Sequence, residues 1–163
     1  MYSVVLFVHS WWRWIVVILM LIVILRSIRG LISDRNFSRA DNAIGGALVG
    51  STHMQLLLGL ILYFGLSPLA FSALTSVPGA MAEPVIRYWG VEHLISMIIF
   101  VIFVQIGRIA ARKTPVARSK FKRLLVWNGL ALVVLMGSMP WPSAKETSRP
   151  LFRMHTPSAL ISK

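Results

Sequence analysis

Long apolar runs alternate with short polar ones along this chain of 163 residues. The runs cover Tyr2–Leu25, Ile44–Leu66, Tyr88–Ile106 and Leu124–Met139. Each is long enough, or nearly so, to cross about 30 Å of hydrocarbon as a helix rising 1.5 Å per residue. The fourth is the shortest. The pattern predicts an all-α fold, an integral membrane bundle of four spans.

Composition agrees. Hydrophobic residues make up 56% of the chain and charged residues 13%, against about 25% charged in soluble domains. Mean hydropathy is +0.73. The length suits one bundle over residues 1–142, followed by a polar tail over 143–163. The first run has no basic segment before it and no small-residue cleavage site after it, so it is expected to be retained as a span. No internal repeat supports a duplicated transporter fold.

The charges set an orientation. The 1–2 loop holds Arg26, Arg29, Arg35 and Arg39 against Asp34 and Asp41. The 3–4 loop holds Arg108, Arg112, Lys113, Arg118, Lys120, Lys122 and Arg123 with no acid, and the 2–3 loop only Glu83 and Arg87. The positive-inside rule places the two basic loops in the cytoplasm and both termini outside. The net charge of +12 is then a matter of anionic lipid headgroups, and no nucleic-acid partner is expected, because no folded basic domain presents these charges. The 2–3 loop, SPLAFSALTSVPGAMAEP, is expected to cover the outer mouth. Trp89, Trp127 and Trp141 lie near span ends, as interfacial tryptophans do. Gly45, Gly46, Gly50 and Gly59 in span 2 suit close helix contact.

Candidate chemistry lies in the polar residues at depth, which are costly in lipid: His9, Arg13, His53, Glu92 and His93, with the amides Gln55, Gln105 and Asn128. His9 lies about 10 Å below the outer end of span 1, and His93 about 8 Å below that of span 3. His53, roughly 14 Å from the inner end of span 2, lies near the midplane. Two imidazoles at matched depth on different helices suit the axial positions of a b-type haem. Arg13, one turn below His9 on the same face, suits a haem propionate or Glu92. Trp11, Trp12, Trp14, Tyr88 and Trp89 suit the walls. Glu92 suits a group that orients an imidazole, and His53 a reserve ligand or a residue of a quinone site. Packing and charge neutralisation without any cofactor account for the same residues. The depth of His53 argues against a three-histidine copper site.

Other chemistries are poorly served. There is no cysteine, which excludes thiolate metal sites, Cys-ligated clusters and c-type haem attachment. There is no phosphate loop, no HExxH motif and no Ser/His/Asp set. No span carries the repeated polar face of a channel.

HSWWRW in span 1, THMQLLLGLILYF in span 2, RYWGVEH opening span 3 and MPWP after span 4 resemble a family of small four-helix membrane proteins. That family occurs in Bacteroidetes and related bacteria and is often labelled cytochrome b-like. The similarity runs to about Pro142. Its histidines match His9, His53 and His93, its arginine Arg13, and its acid Glu92. The resemblance implies haem binding and electron transfer. The tail from Ser143 to Lys163 extends beyond the family's short end and suits attachment to a partner. Two functions lead: a b-type haem protein moving electrons near the periplasmic face of a bacterial inner membrane, or a non-catalytic accessory subunit of a larger respiratory or photosynthetic complex; a small transporter or metal-handling protein is a third. The partners expected are the bilayer and other membrane redox subunits.

Overall fold

The computed structural model describes residues 1–141 together with 147 and 152. The remainder of the tail expected from residue 143 onward, including His155, lies outside the described residues. The elements are α1 (Tyr2–Ile32), α2 (Arg39–Ile61), α3 (Phe71–Ser76), α4 (Pro84–Arg87), α5 (His93–Arg112) and α6 (Ala117–Ser138). A π-helical turn, Leu62–Leu66, prolongs α2, and a second, Tyr88–Glu92, joins α4 to α5. Four stretches are long and apolar enough to cross a membrane: Tyr2–Ile32, Arg39–Ser76, Pro84–Arg112 and Ala117–Ser138.

The helices outrun the apolar stretches from which they are predicted. α1 continues past Leu25 to Ile32, because Arg26 and Arg29 are good helix formers, the Arg26 head meeting Asp41 and Arg29 standing exposed. Ser27, buried there, donates to the Val23 carbonyl at 2.7 Å. α1 stops at Ser33, and Asp34 follows with φ +45°. α6 starts well before Leu124 for a similar reason. Phe121 is buried, while Arg118, Lys122 and Arg123 face outward.

Two ends define the bundle. At the near end lie the start of α1, the end of α2, the start of α5 and the end of α6. The Gln55–His9, Tyr63–Gly90 and Tyr88–Ser138 hydrogen bonds tie them together. At the far end lie the α1–α2 and α5–α6 connections. Between them Val16, Met20 and Val23 of α1, Leu48 of α2, Phe100 and Val104 of α5, and Leu124 and Ala131 of α6 form the buried core. Ile18, Leu25, Leu57, Ile95, Ile102 and Val133 are exposed, as residues facing lipid are. Trp12 Nε1 donates to the Ser51 carbonyl at 3.0 Å and pins α1 to α2.

The far end is locked by one carboxylate. Asp41, at N3 of α2, forms a capping box with Ser38. Its oxygens accept from Arg26 Nε at 2.7 Å and from Arg35 Nη1 and Nη2 at 2.7 and 2.9 Å. They also accept from Ser38 N and Oγ at 2.8 and 2.7 Å. This carboxylate holds the Arg35 guanidinium above its ordinary pKa. Beside it, Phe121 packs so closely on Gly30 that a Cβ there would stand 2.5 Å from the ring. Because the Asp41 side chain is only 3% exposed, Asp41→Ala strands two guanidinium groups and is expected to cost about 3 kcal/mol. The check is thermal unfolding in detergent followed by circular dichroism. Asp34→Ala, which breaks an exposed 3.4 Å pair with Arg118, is expected to leave the midpoint unchanged.

Candidate functional site

The three-to-four-residue spacing of Tyr2, Leu6, His9, Arg13 and Val16 puts them on one stripe of α1. That stripe faces a cavity of about 150 Å³ in the near half of the bundle. α2, α5 and α6 supply the other walls through residues such as Gln55, Gly59, His93, Met97, Leu135 and Ser138. The segment after α2 closes in with Ser67 and Ala70, so the part of the 2–3 connection nearest the bundle does border the cavity.

Three of the five residues singled out from the sequence meet here. His9, Arg13 and His93 all line the cavity. His53 is not brought to it. It is exposed on the outer side of α2, and its Nδ1–H donates to the Val49 carbonyl at 2.8 Å. Glu92 is exposed as well and pairs with Arg87 at 2.8 Å. Of the aromatic residues expected as walls, Trp89 lines the cavity. Trp12 holds Ser51 instead, and Trp11 and Trp14 lie against Phe152 at 5.8 and 5.0 Å between ring centroids. The Arg13 guanidinium lies 5.3 Å from the Trp14 ring.

Gln55 fixes His9. Its Nε2 donates to the His9 carbonyl at 3.1 Å and lies 3.3 Å from His9 Nε2. The first bond orients the amide, since only the NH₂ end satisfies a carbonyl. An amide nitrogen donates and does not accept, so His9 Nε2 accepts and the ring proton sits on Nδ1. The imidazole rests on Gly59, where a Cβ would stand 3.2 Å from Cε1. Two atoms are then left buried without hydrogen-bond partners: the donor His9 Nδ1 and the acceptor Gln55 Oε1.

His93 is held from α6. Its Nδ1 donates to the Ser138 carbonyl at 3.4 Å, and Tyr88 OH donates to the same oxygen at 2.8 Å. That carbonyl lies in the last turn of α6, where no intrahelical donor remains. Trp89 lies at 5.3 Å from the His93 ring. Across the mouth, Tyr63 OH donates to the Gly90 carbonyl at 2.7 Å, inside the π-helical turn, which shifts hydrogen bonding out of the α pattern. Both π-helical turns thus border the cavity, as such turns often border functional sites.

The donor set for a bis-imidazole haem is present but not poised. His9 Nε2, the usual axial nitrogen, faces Gln55. A cavity near 150 Å³ is of the size that takes one aromatic ring, and a macrocycle enters only if lining side chains move aside. Among the described residues no group of three or more His, Cys, Asp or Glu side chains is placed to hold a metal ion. Gln55, Tyr63 and Ser138 are the site residues to which the sequence reading assigns no role. Gln55 had a signal, as a deep amide one turn before Gly59. The other two act through a hydroxyl at a π-helical turn and a main-chain carbonyl, which spacing does not reveal.

Comparison with protein-family models, curated proteins and solved structures finds no match to this chain.

Gln55→Leu removes both contacts to His9 and is expected to release its tautomer. In ¹⁵N-labelled protein in micelles, wild-type His9 is expected to show one pyridine-like and one pyrrole-like ring nitrogen. The variant is expected to show an averaged pair. Unchanged shifts in the variant would contradict this geometry.

Proposed function

We propose that this chain is a multi-pass membrane protein that holds the ring of a lipid-soluble quinone or quinol in its cavity, as the quinone-binding subunit of a membrane redox assembly. The observation that carries this reading is the pairing of a buried unpartnered donor, His9 Nδ1–H, with a buried unpartnered acceptor, Gln55 Oε1, on two residues that line a mostly apolar cavity of one-ring size. A quinone carbonyl accepts from the first. A quinol hydroxyl donates to the second. A quinol satisfies both atoms, since a hydroxyl accepts as well as donates, whereas a quinone satisfies only the donor; each atom otherwise costs about 1–3 kcal/mol. His93, with Nδ1 committed to Ser138, offers Nε2 to the far side of the ring. The apolar outer faces of the helices suit an isoprenoid tail.

The distribution of basic residues supports an orientation with the far end in the cytoplasm and the cavity toward the periplasmic face of a bacterial inner membrane. Electrons pass between the ring and a neighbouring subunit. That role unites the expected electron-transfer and accessory-subunit functions.

A second reading draws on one observation: His9 and His93 border one cavity from different helices, as their matched depth predicts. In it His9 and His93 would hold a b-type haem, with Arg13 to meet a propionate, and the haem would supply one-electron transfer. It requires His9 to release Gln55 and the cavity to widen.

The test is to purify the full chain in mild detergent, extract and quantify its quinone, and titrate it with a short-tailed quinone. One quinone per chain is expected. His9→Leu and Gln55→Leu are each expected to weaken binding about tenfold, and His53→Ala to leave it unchanged. Folded protein that neither carries nor binds quinone overturns the proposal. A sharp α-band in the reduced-minus-oxidised spectrum puts the haem reading in its place.

A further inference from the structure

The far end of the bundle has a charge problem separate from the cavity. Its carboxylates are Asp34 and Asp41, set against arginines and lysines from four helix ends. Asp41 is taken by Arg26 and Arg35, and Asp34 by Arg118. Arg123 donates to the Ala110 carbonyl at 2.6 Å.

Arg108 pairs with no carboxylate among the described residues, and it does not extend along its own helix toward water. It crosses to α2. Its Nη2 donates to Asn42 Oδ1 at 2.9 Å. Its guanidinium lies on the glycine pair of α2: a Cβ on Gly45 would stand 3.1 Å from Nη1, and one on Gly46 3.7 Å from Nη2. Arg108 is half-buried, one turn inside the Arg112 end of α5. That is headgroup depth rather than mid-membrane depth. Arg112 and Arg39, both exposed, stand one turn nearer the water on α5 and α2. Deeper along the outer side of α2, Gly46 and Gly50 are exposed, and a Cβ on Gly50 would meet nothing within 4 Å. The result is a charged niche opening onto a shallow trough.

We propose that this niche binds the phosphate of an anionic phospholipid. The phosphodiester lies on the Arg108 fork, which matches phosphate oxygens geometrically, with Arg39 and Arg112 at the rim. One acyl chain follows the trough over Gly46 and Gly50. Basic niches between spans on the cytoplasmic side recognise headgroups in this way. Gly45 has a purpose here that close helix packing does not supply: a Cβ there would crowd the guanidinium, whereas one at Gly46 would only touch it, at 3.7 Å.

The experiment is native mass spectrometry of the full chain in detergent, with phosphatidylglycerol, phosphatidylcholine of the same chains, or inorganic phosphate added. Phosphatidylglycerol is expected to be retained in preference to phosphatidylcholine and not displaced by inorganic phosphate. Arg108→Gln is expected to lower its retention about fivefold. Arg118→Gln, on the same face but paired with Asp34, is expected to leave it unchanged. Gly46→Leu keeps every charge but covers the trough, and is expected to lower retention as well, so the test stands even if Arg108→Gln misfolds. Equal losses in Arg108→Gln and Arg118→Gln would show only diffuse surface charge and overturn the proposal. So would undiminished retention in Gly46→Leu, or displacement by inorganic phosphate, which would mark a free-anion site.

Discussion

Within hydrocarbon no water satisfies a polar group, so each one at depth needs a partner inside the protein or carries a cost of several kcal/mol. Much of this bundle follows from that constraint. Thr52 turns its hydroxyl back to the Leu48 carbonyl, and Asn128 gives its amide to Leu124. Trp12 finds Ser51, and Tyr63 finds a carbonyl in a π-helical turn. Against this background the leftovers carry information. Gln105 and Asn128 each leave a carbonyl oxygen without a hydrogen bond, but neither borders the cavity. His9 and Gln55 differ because they leave a donor and an acceptor on two neighbouring residues that both line the cavity. That complementary pair, more than the presence of histidines, points to a small ring bearing both oxygen acceptors and hydroxyl donors.

The two ends of the bundle divide the work. At the far end Asp41 gathers two arginines and a helix cap, and Phe121 presses on Gly30. Both features fix the spacing of α1, α2 and α6 and leave only a void of about 10 Å³ between them. The near end is looser by construction. Its helices are joined through side chains reaching main-chain carbonyls, from Gln55, Tyr63, Tyr88 and His93, and the walls between them stand apart. A rigid far end lets the near end hold a cavity open, since the helix axes are already set one or two turns away.

The sequence made the four spans legible because composition alone determines them, and the shared depth of His9 and His93 because helical rise is constant. Their ends were not legible, since arginines at a membrane surface extend a helix as readily as they stop it. Nor was the outward turn of His53. α2 is apolar on nearly every side, so periodicity does not say which face is inner. Glu92 illustrates a different limit. Arg87 and Glu92 are five residues apart, a spacing that faces outward together only across a π-helical turn, and that turn has no sequence signature here. The glycines of α2 suggested close helix packing. Instead Gly59 makes room for an imidazole and Gly45 for a guanidinium, while the closest approaches involve Gly30 and Gly107.

The central claim is that a quinone ring lies between His9 and His93. The direct measurement is photolabelling of the purified chain with an azidoquinone, followed by peptide mapping. Adducts are expected only in the cavity-lining stretches around 2–16, 52–63, 89–101 and 135–140, suppressed by excess short-tailed quinone and lost in Gln55→Leu. Labelling spread over the lipid-facing residues, insensitive to competitor and to Gln55→Leu, would contradict it.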